Sequence, residues 1–318
     1  MTFLSMDYFM MVAEKKSFTQ AAETLHITQQ TLSAHIAGLE QELNCKLFVR
    51  HIPLELTYAG EVFLRYAQSF RKKYESMQHE FSDMTCSSRG VIRIGISTTR
   101  GLAIMPEIIA AYKKDFPLME VHVLENGNDA LPNDLLNREI DLAIAHFPGL
   151  VPGITLQDCY REEVVLVIAE SLFQELFGEE ADEIAANALA DEQIQKFAKC
   201  PFLLNRESDI AGRIARNFIR LGDFSPLVQT QSGNMGLLLR LCAEGLGACF
   251  CPEKLISVSL SEAERKKMRI IRLGQSASYN IRFGWLDQPY QWNAIESFMR
   301  TAGKVVARAA GSPDHFPA

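Results

Sequence analysis

Gln29, Gln30, Thr31, Ser33 and His35 lie close together in the chain, and each carries a group able to touch nucleic acid. A glutamine amide pairs a donor and an acceptor against an adenine edge, and hydroxyls serve bases or phosphates. Thr28 precedes them and suits the cap of a helix, whose free N–H groups form an anion site for a backbone phosphate. Arg50 and His51, in the segment from Lys46 to Thr57, add a cation and a titratable ring. A plain helical pair with a solvated polar face has the same pattern, so residue types alone leave both readings open.

The elements that hold these groups follow from spacing. Ser17 and Gln20 stand as in a capping box. The helix they open turns Ala21, Ala22 and Leu25 inward, and His26-Ile27-Thr28 interrupts it. The next helix carries Leu32, Ile36, Leu39 and Leu43 on one face. Two short helices, a short turn and small alanines at the crossing predict a helix-turn-helix.

A second polar set falls at strand ends. Ser97, Thr98 and Thr99 follow the expected strand at 90–96, and Asn126 follows one at 121–124. Asn205 and Arg206 follow 201–204, and Gln231 and Ser232 close 227–231. In open α/β sheets, ligands bind outside the carboxyl ends of strands, where helix N-termini point. Singly, each residue is a natural helix cap. As a converging set they predict a site for a small, polar, anionic ligand.

Between these regions, residues 58–86 run without proline. Phe63, Tyr66, Phe70, Tyr74, Met77, Phe81 and Met84 recur at three- and four-residue steps, close to a heptad seam. A lone helix cannot bury such a stripe against itself. It docks on its own domain or on a second copy, and small flanking domains favour the copy. Residues 90–307 alternate β-rich and helical runs, which predicts an α/β domain with mainly parallel sheets. A helical, acidic insert is expected over 171–199 and a frayed tail over 308–318.

Composition bounds the alternatives. The chain has 318 residues, 47% apolar and 22% charged, which excludes disordered and collagen-like classes. No run approaches the roughly 18 apolar residues of a spanning helix. The apolar start carries Asp7 and no basic cluster, so no secretory signal is expected. Seven cysteines, odd in number and irregular in spacing, fit free thiols of a reducing cytosol. No His/Cys cluster has metal-ligand spacing, so neither metal nor cofactor is expected. Net charge is -7, which opposes broad nucleic-acid coating but allows one local binding face. Motifs for a nucleophile elbow, a P-loop, a dinucleotide turn or a zinc protease are absent, so no enzyme is expected.

Residues 4–60 resemble the winged helix-turn-helix of LysR-type transcriptional regulators. The likeness is carried by Leu4, Phe9, Ala13, Ser17-Phe18, Ala21-Ala22, Leu25, Gln29, Ser33, Ile36, Leu39-Glu40, Leu43, Leu47-Phe48, Arg50, Thr57 and Ala59-Gly60. It continues through Ile92-Arg-Ile-Gly95, Glu139-Ile-Asp-Leu-Ala-Ile144 and Gly245-Leu-Gly-Ala-Cys-Phe-Cys-Pro252. Gln30 departs from a frequent proline, Ala34 from a basic residue, and Asn44 from a glycine before the wing. Residues 1–57 hold four bases against six acids, net -2. The non-specific phosphate attraction is therefore small, and oligomers must multiply modest contacts.

The resemblance implies an all-α winged helix-turn-helix domain over 1–58 and a linker and dimerisation helix with hinge over 59–89. It implies an α/β effector domain over 90–307 made of two Rossmann-like lobes, as in periplasmic binding proteins. Lobe one is expected at 90–162 and 269–307, lobe two at 163–268. His146 and Phe147 would sit at the crossover and face the cleft. The implied protein is a cytoplasmic, dimeric or tetrameric regulator that binds double-stranded operator DNA and answers to an effector. The alternative class is an α/β binding protein or enzyme with an N-terminal interaction domain.

Overall fold

The computed structural model describes residues 1–49, 51, 53–84, 89–181, 184 and 194–309. They divide into two compact units, Met1–Ser87 and Ser88–Ala318.

In the first unit, helix α1 (Phe3–Lys15) is capped by Thr2, and α2 (Phe18–Thr24) by Ser17, which accepts from Gln20 N at 3.4 Å. α3 (Gln29–Glu42) begins at Thr28. Leu32, Ile36 and Leu39 bury their side chains among Phe9, Val12, Ala21 and Ala22, the close crossing that small residues allow. Leu43, expected on the same face, is the C-cap residue of α3 and lies exposed. Asn44 then takes a φ of 52°, a left-handed turn that asparagine tolerates.

Strands β1 (Phe48–Val49) and β2 (Glu55–Leu56) pair antiparallel as a short wing. Its base is fixed by a charged residue inside the fold. Glu40 is 3% exposed and accepts from Leu47 N at 3.0 Å, Phe48 N at 3.4 Å and Lys46 Nζ at 2.9 Å. Burial pushes its pKa up, but these donors outweigh that and hold it below the ordinary carboxylate value. Gly60 completes the corner, because a Cβ there would collide with the Leu47 carbonyl oxygen.

α4 (Tyr58–Met84) carries the expected seam. Its start docks on its own domain: the Phe63 ring meets Phe9 edge-on at 4.9 Å, and Arg71 pairs with Asp7 at 3.1 Å. Tyr74 approaches Phe3 at 4.9 Å. The stripe is nonetheless open in this single chain, with Tyr66 60%, Phe81 58% and Met77 43% exposed. The hinge at 85–88 lies outside the described residues.

Among its described residues the second unit has nine strands: β3 (Gly90–Ile96), β4 (Met119–Glu125), β5 (Leu142–Ala145), β6 (Ile154–Ala169), β7 (Pro201–Leu204), β8 (Leu227–Gln231), β9 (Ala248–Pro252), β10 (Met268–Arg272) and β11 (Ser278–Leu286). They form two sheets that share β6. Lobe one has the order β4-β3-β5-β11-β6 and lobe two the order β10-β6-β9-β7-β8. The inner pairs β3–β4, β3–β5, β7–β8 and β7–β9 are parallel, and the strands that join the lobes pair antiparallel. Each lobe has its own apolar core, around Ile92, Ile94 and Phe298 in one and Val165, Val167 and Phe202 in the other.

Several expectations shift. β6 begins at Ile154, ten residues before its apolar run Val164–Ala169, because its first half pairs with β11 in lobe one. β10 pairs with the lobe-two half of β6, so the return to lobe one falls between Arg272 and Ser278, not at 268–269. The helix that follows β4 spans only Leu131–Leu136. Short helices at Glu253–Ser259 and Glu262–Arg265 had no clear periodic signal. Of the acidic insert, Glu170–Phe177 is helical, while 182–183 and 185–193 lie outside the described residues, as does the tail from 310.

Candidate functional site

Two regions gather the candidate side chains. The first is the start of α3. Thr28 accepts from Thr31 N at 3.1 Å, and the two hydroxyls lie 2.8 Å apart, so Thr28 is occupied as a cap. Gln29 accepts from the Thr19 hydroxyl at 3.5 Å and remains exposed with Gln30 and Thr31. Ser33 is half-buried one turn further on. His35 turns partly inward, its ring edge-on to Tyr8 at 5.0 Å. In the wing, His51 holds the Pro53 carbonyl through Nδ1 at 2.7 Å and lies exposed. Arg50 lies outside the described residues.

The second region is the cleft between the lobes. Helix α5 (Thr98–Asp115) begins at Ser97, which makes no capping hydrogen bond. Arg100, in its first turn, is 4% exposed, and its guanidinium reaches Glu162 on β6 through Nε at 3.4 Å and Nη2 at 3.0 Å. Its Nη1 donates to the Ser97 hydroxyl at 3.2 Å, Asn128 Oδ1 at 3.3 Å and the Ile144 carbonyl at 3.3 Å. Glu162 also accepts from Tyr160 at 2.8 Å and from the Tyr279 hydroxyl.

Burial by itself raises the Glu162 pKa, and Arg100 with the two tyrosines more than reverses this, so the carboxyl stays ionised. Burial by itself lowers the Arg100 pKa, and Glu162 raises it again. This floor is charge-balanced and fully hydrogen-bonded. Lys254 lies over the Tyr160 ring at 4.4 Å, its Nζ buried without a hydrogen-bond partner, and burial lowers its pKa. Burial pushes the Cys159 and Cys200 thiols up to about 12, so neither is a thiolate nucleophile at neutral pH.

Ser97, Thr99 and Asn205 come together on the cleft surface, joined by Asn128, Asp209 and Tyr279. The other expected residues stand apart from that surface. Thr98 is exposed. Asn126 donates to Asp134 at 3.0 Å and accepts from Gly127 N, which makes it a turn residue. His146 meets the Asn280 carbonyl at 3.1 Å and packs edge-on against Tyr279. Phe147 does not face the cleft: it is 3% exposed among Leu131, Leu135 and Ile140, its ring seated against Gly284. Arg206 is exposed and lies along Gly233, Gln231 is exposed, and Ser232 caps locally by accepting from Asn234 N at 3.0 Å.

Sequence reasoning missed Arg100, Glu162 and Asp209. Arg100 follows three flagged hydroxyl residues directly, and that adjacency was the available signal. Among the described residues no His/Cys/Asp/Glu group is arranged for a metal, and no helix is long and apolar enough to cross a membrane.

A helix-turn-helix with a wing, followed by a two-lobed ligand-binding architecture, defines a class of one-component regulators. The comparisons name the family. Residues 3–61 match the model described as bacterial regulatory helix-turn-helix protein, lysR family, and residues 87–307 match the LysR substrate binding domain. The chain belongs to the LysR family.

Among curated relatives, the probable RuBisCO transcriptional regulator of Phaeodactylum tricornutum is 31% identical over 166 residues, 50% of this chain and 53% of that protein. The match thus spans about half the length of that relative. The HTH-type transcriptional regulator IlvY of Escherichia coli is 24% identical over 86% of this chain and 89% of its own. Among solved structures, full-length CbnR complexed with its target DNA superposes with a TM-score of 0.64 at 19% identity, covering 96% of this chain and 100% of that one. A full-length OxyR variant from Pseudomonas aeruginosa gives 0.66 at 18%, covering 95% and 98%. At these identities the structural likeness speaks for the fold.

Proposed function

We propose that this LysR-family chain is a cytoplasmic, ligand-controlled regulator of transcription that binds double-stranded operator DNA as a dimer or tetramer. The observation that carries the reading is the start of α3, where Gln29, Gln30 and Thr31 stand exposed beside a wing locked by Glu40. Gln29, Gln30 and Ser33 read base edges, Thr28 and Thr31 steady the first turn, and Arg50 and His51 meet the backbone from the wing. The open seam of α4 packs against a second copy. Two α3 helices then enter successive major grooves about 34–36 Å apart.

The cleft holds a small effector whose anionic end meets Ser97 and Thr99 at the start of α5. The saturated Arg100–Glu162 floor supports positioning rather than proton transfer, which favours a binding role over an enzymatic one.

Selection of DNA from a random pool by the purified full chain tests the reading. It should enrich a two-fold symmetric motif. Gln29→Ala should cost about 1–3 kcal/mol on that motif and little on random DNA. Enrichment of no motif, or equal losses on both DNAs, would sink it.

A further inference from the structure

Two of the helix N-termini that line the cleft are chemically opposite. At the start of α5 the first-turn N–H groups are uncapped, and the Ser97 and Thr99 hydroxyls stand beside them as donors. The helix Ile210–Leu221 on lobe two begins at Asp209, whose carboxylate makes no capping hydrogen bond to its own helix. That carboxylate already supplies the negative charge a helix N-terminus attracts. Next to it, Asn205 is 7% exposed, lines the same cleft, and holds a buried amide oxygen with no donor. The cation nearest the floor cannot serve an anion here, because Arg100 is bound on both prongs by Glu162.

The groups around Asp209 carry both signs of charge. Arg206 and Arg213 ease its charge and Asp129 opposes it, while burial has the largest influence and pushes its pKa up. Arg213 is itself directed to the Ser208 carbonyl at 3.2 Å. A buried amide oxygen without a donor, with a carboxylate beside it on the same cleft surface, calls for a cationic hydrogen-bond donor.

From this we infer that the effector is zwitterionic and amino-acid-like, with its carboxylate on Ser97 and Thr99 and its ammonium on Asp209 and Asn205. The inference rests on the proposed effector role of the cleft and adds the amine end of the ligand.

The test uses the full-length protein in calorimetric titrations against three probe sets. These are L-amino acids, the 2-oxo acids of the same carbon skeletons, and the amines lacking the carboxylate. At least one amino acid should bind, with its 2-oxo acid and its decarboxylated amine each weaker by about tenfold or more. Asp209→Asn should weaken the amino acid and leave the 2-oxo acid unchanged, closing that gap. Thr99→Val should weaken both acids. A 2-oxo acid that binds as tightly as its amino acid, indifference of the amino acid to Asp209→Asn, or no amino-acid binding at all would overturn the inference. A ligand indifferent to both Thr99→Val and Asp209→Asn would instead overturn the placement of the effector in this cleft.

Discussion

Glu40 and Glu162 are both buried carboxylates, both ionised, and they do different things. Glu40 is satisfied by its own neighbourhood: two backbone N–H groups of the wing and one lysine whose side chain is 73% exposed. It fixes one local corner. Glu162 is satisfied wholly by side chains, and they arrive from α5, from β11 and from its own strand. It ties distant parts of the chain at the point where β6 passes from one sheet to the other. A backbone-held carboxylate depends on a turn, and a side-chain-held one depends on the whole lobe. Their loss should be felt on different scales.

The sharpest way to break the contrast is Arg100→Met. It leaves Glu162 buried and unpaired, a loss of about 3–5 kcal/mol, and should appear as a large drop in the unfolding transition of the effector unit. The double variant Arg100→Met with Glu162→Leu should recover much of it, because the stranded charge is gone. Failure to recover would mean the pair matters as a network with the tyrosines.

Glu40→Ala comes next. Stranding the Leu47 and Phe48 N–H groups costs about 1–3 kcal/mol, and the loss should be confined to the first unit. Hydrogen exchange resolved by segment would show accelerated wing amides with an unchanged effector domain. A third effect concerns acid. Both carboxyls have pKa values lowered by folding. Their contribution is therefore present above the unfolded value of about 4.3 and is lost as pH falls through the folded values. Glu40→Gln should flatten the acid limb of the first unit alone, as read by circular dichroism between neutral pH and strongly acid solution. The smallest effect is Lys46→Ala. An exposed partner is worth about 0–1 kcal/mol, so a larger loss would show that Lys46 contributes more than a surface ion pair to the buried carboxylate.

The same contrast explains what was legible in the sequence. The helix-turn-helix could be read because its determinants are local: Ser17 and Thr28 cap, and Leu32, Ile36 and Leu39 recur at helical spacing. Val164–Ala169 could be read because the run is buried on both faces. The first half of β6 could not. Its partly exposed, polar-rich run from Ile154 to Glu163 has no clean period, and its partner strand lies more than a hundred residues on. The Arg100–Glu162 pair spans 62 residues with no local mark of pairing. An aspartate just before a helix has the residue type of an ordinary cap, and only the conformation reveals that Asp209 caps nothing. Phe147 was placed by position alone, and packing against Gly284 took it elsewhere.

β11 is the last strand among the described residues, yet it lies between β5 and β6 rather than at an edge. Lobe two has all its described strands once Arg272 has been synthesised, whereas lobe one waits for Leu286. The lobe begun first is therefore finished second. Until then, β5 and the first half of β6 stand as open ribbons, the condition in which strands recruit wrong partners. A chain cut anywhere between the two lobes' closing points would carry a complete second lobe beside a first lobe missing its middle. For this family member, Ser278–Leu286 decides whether the two halves of the lobe-one sheet are joined.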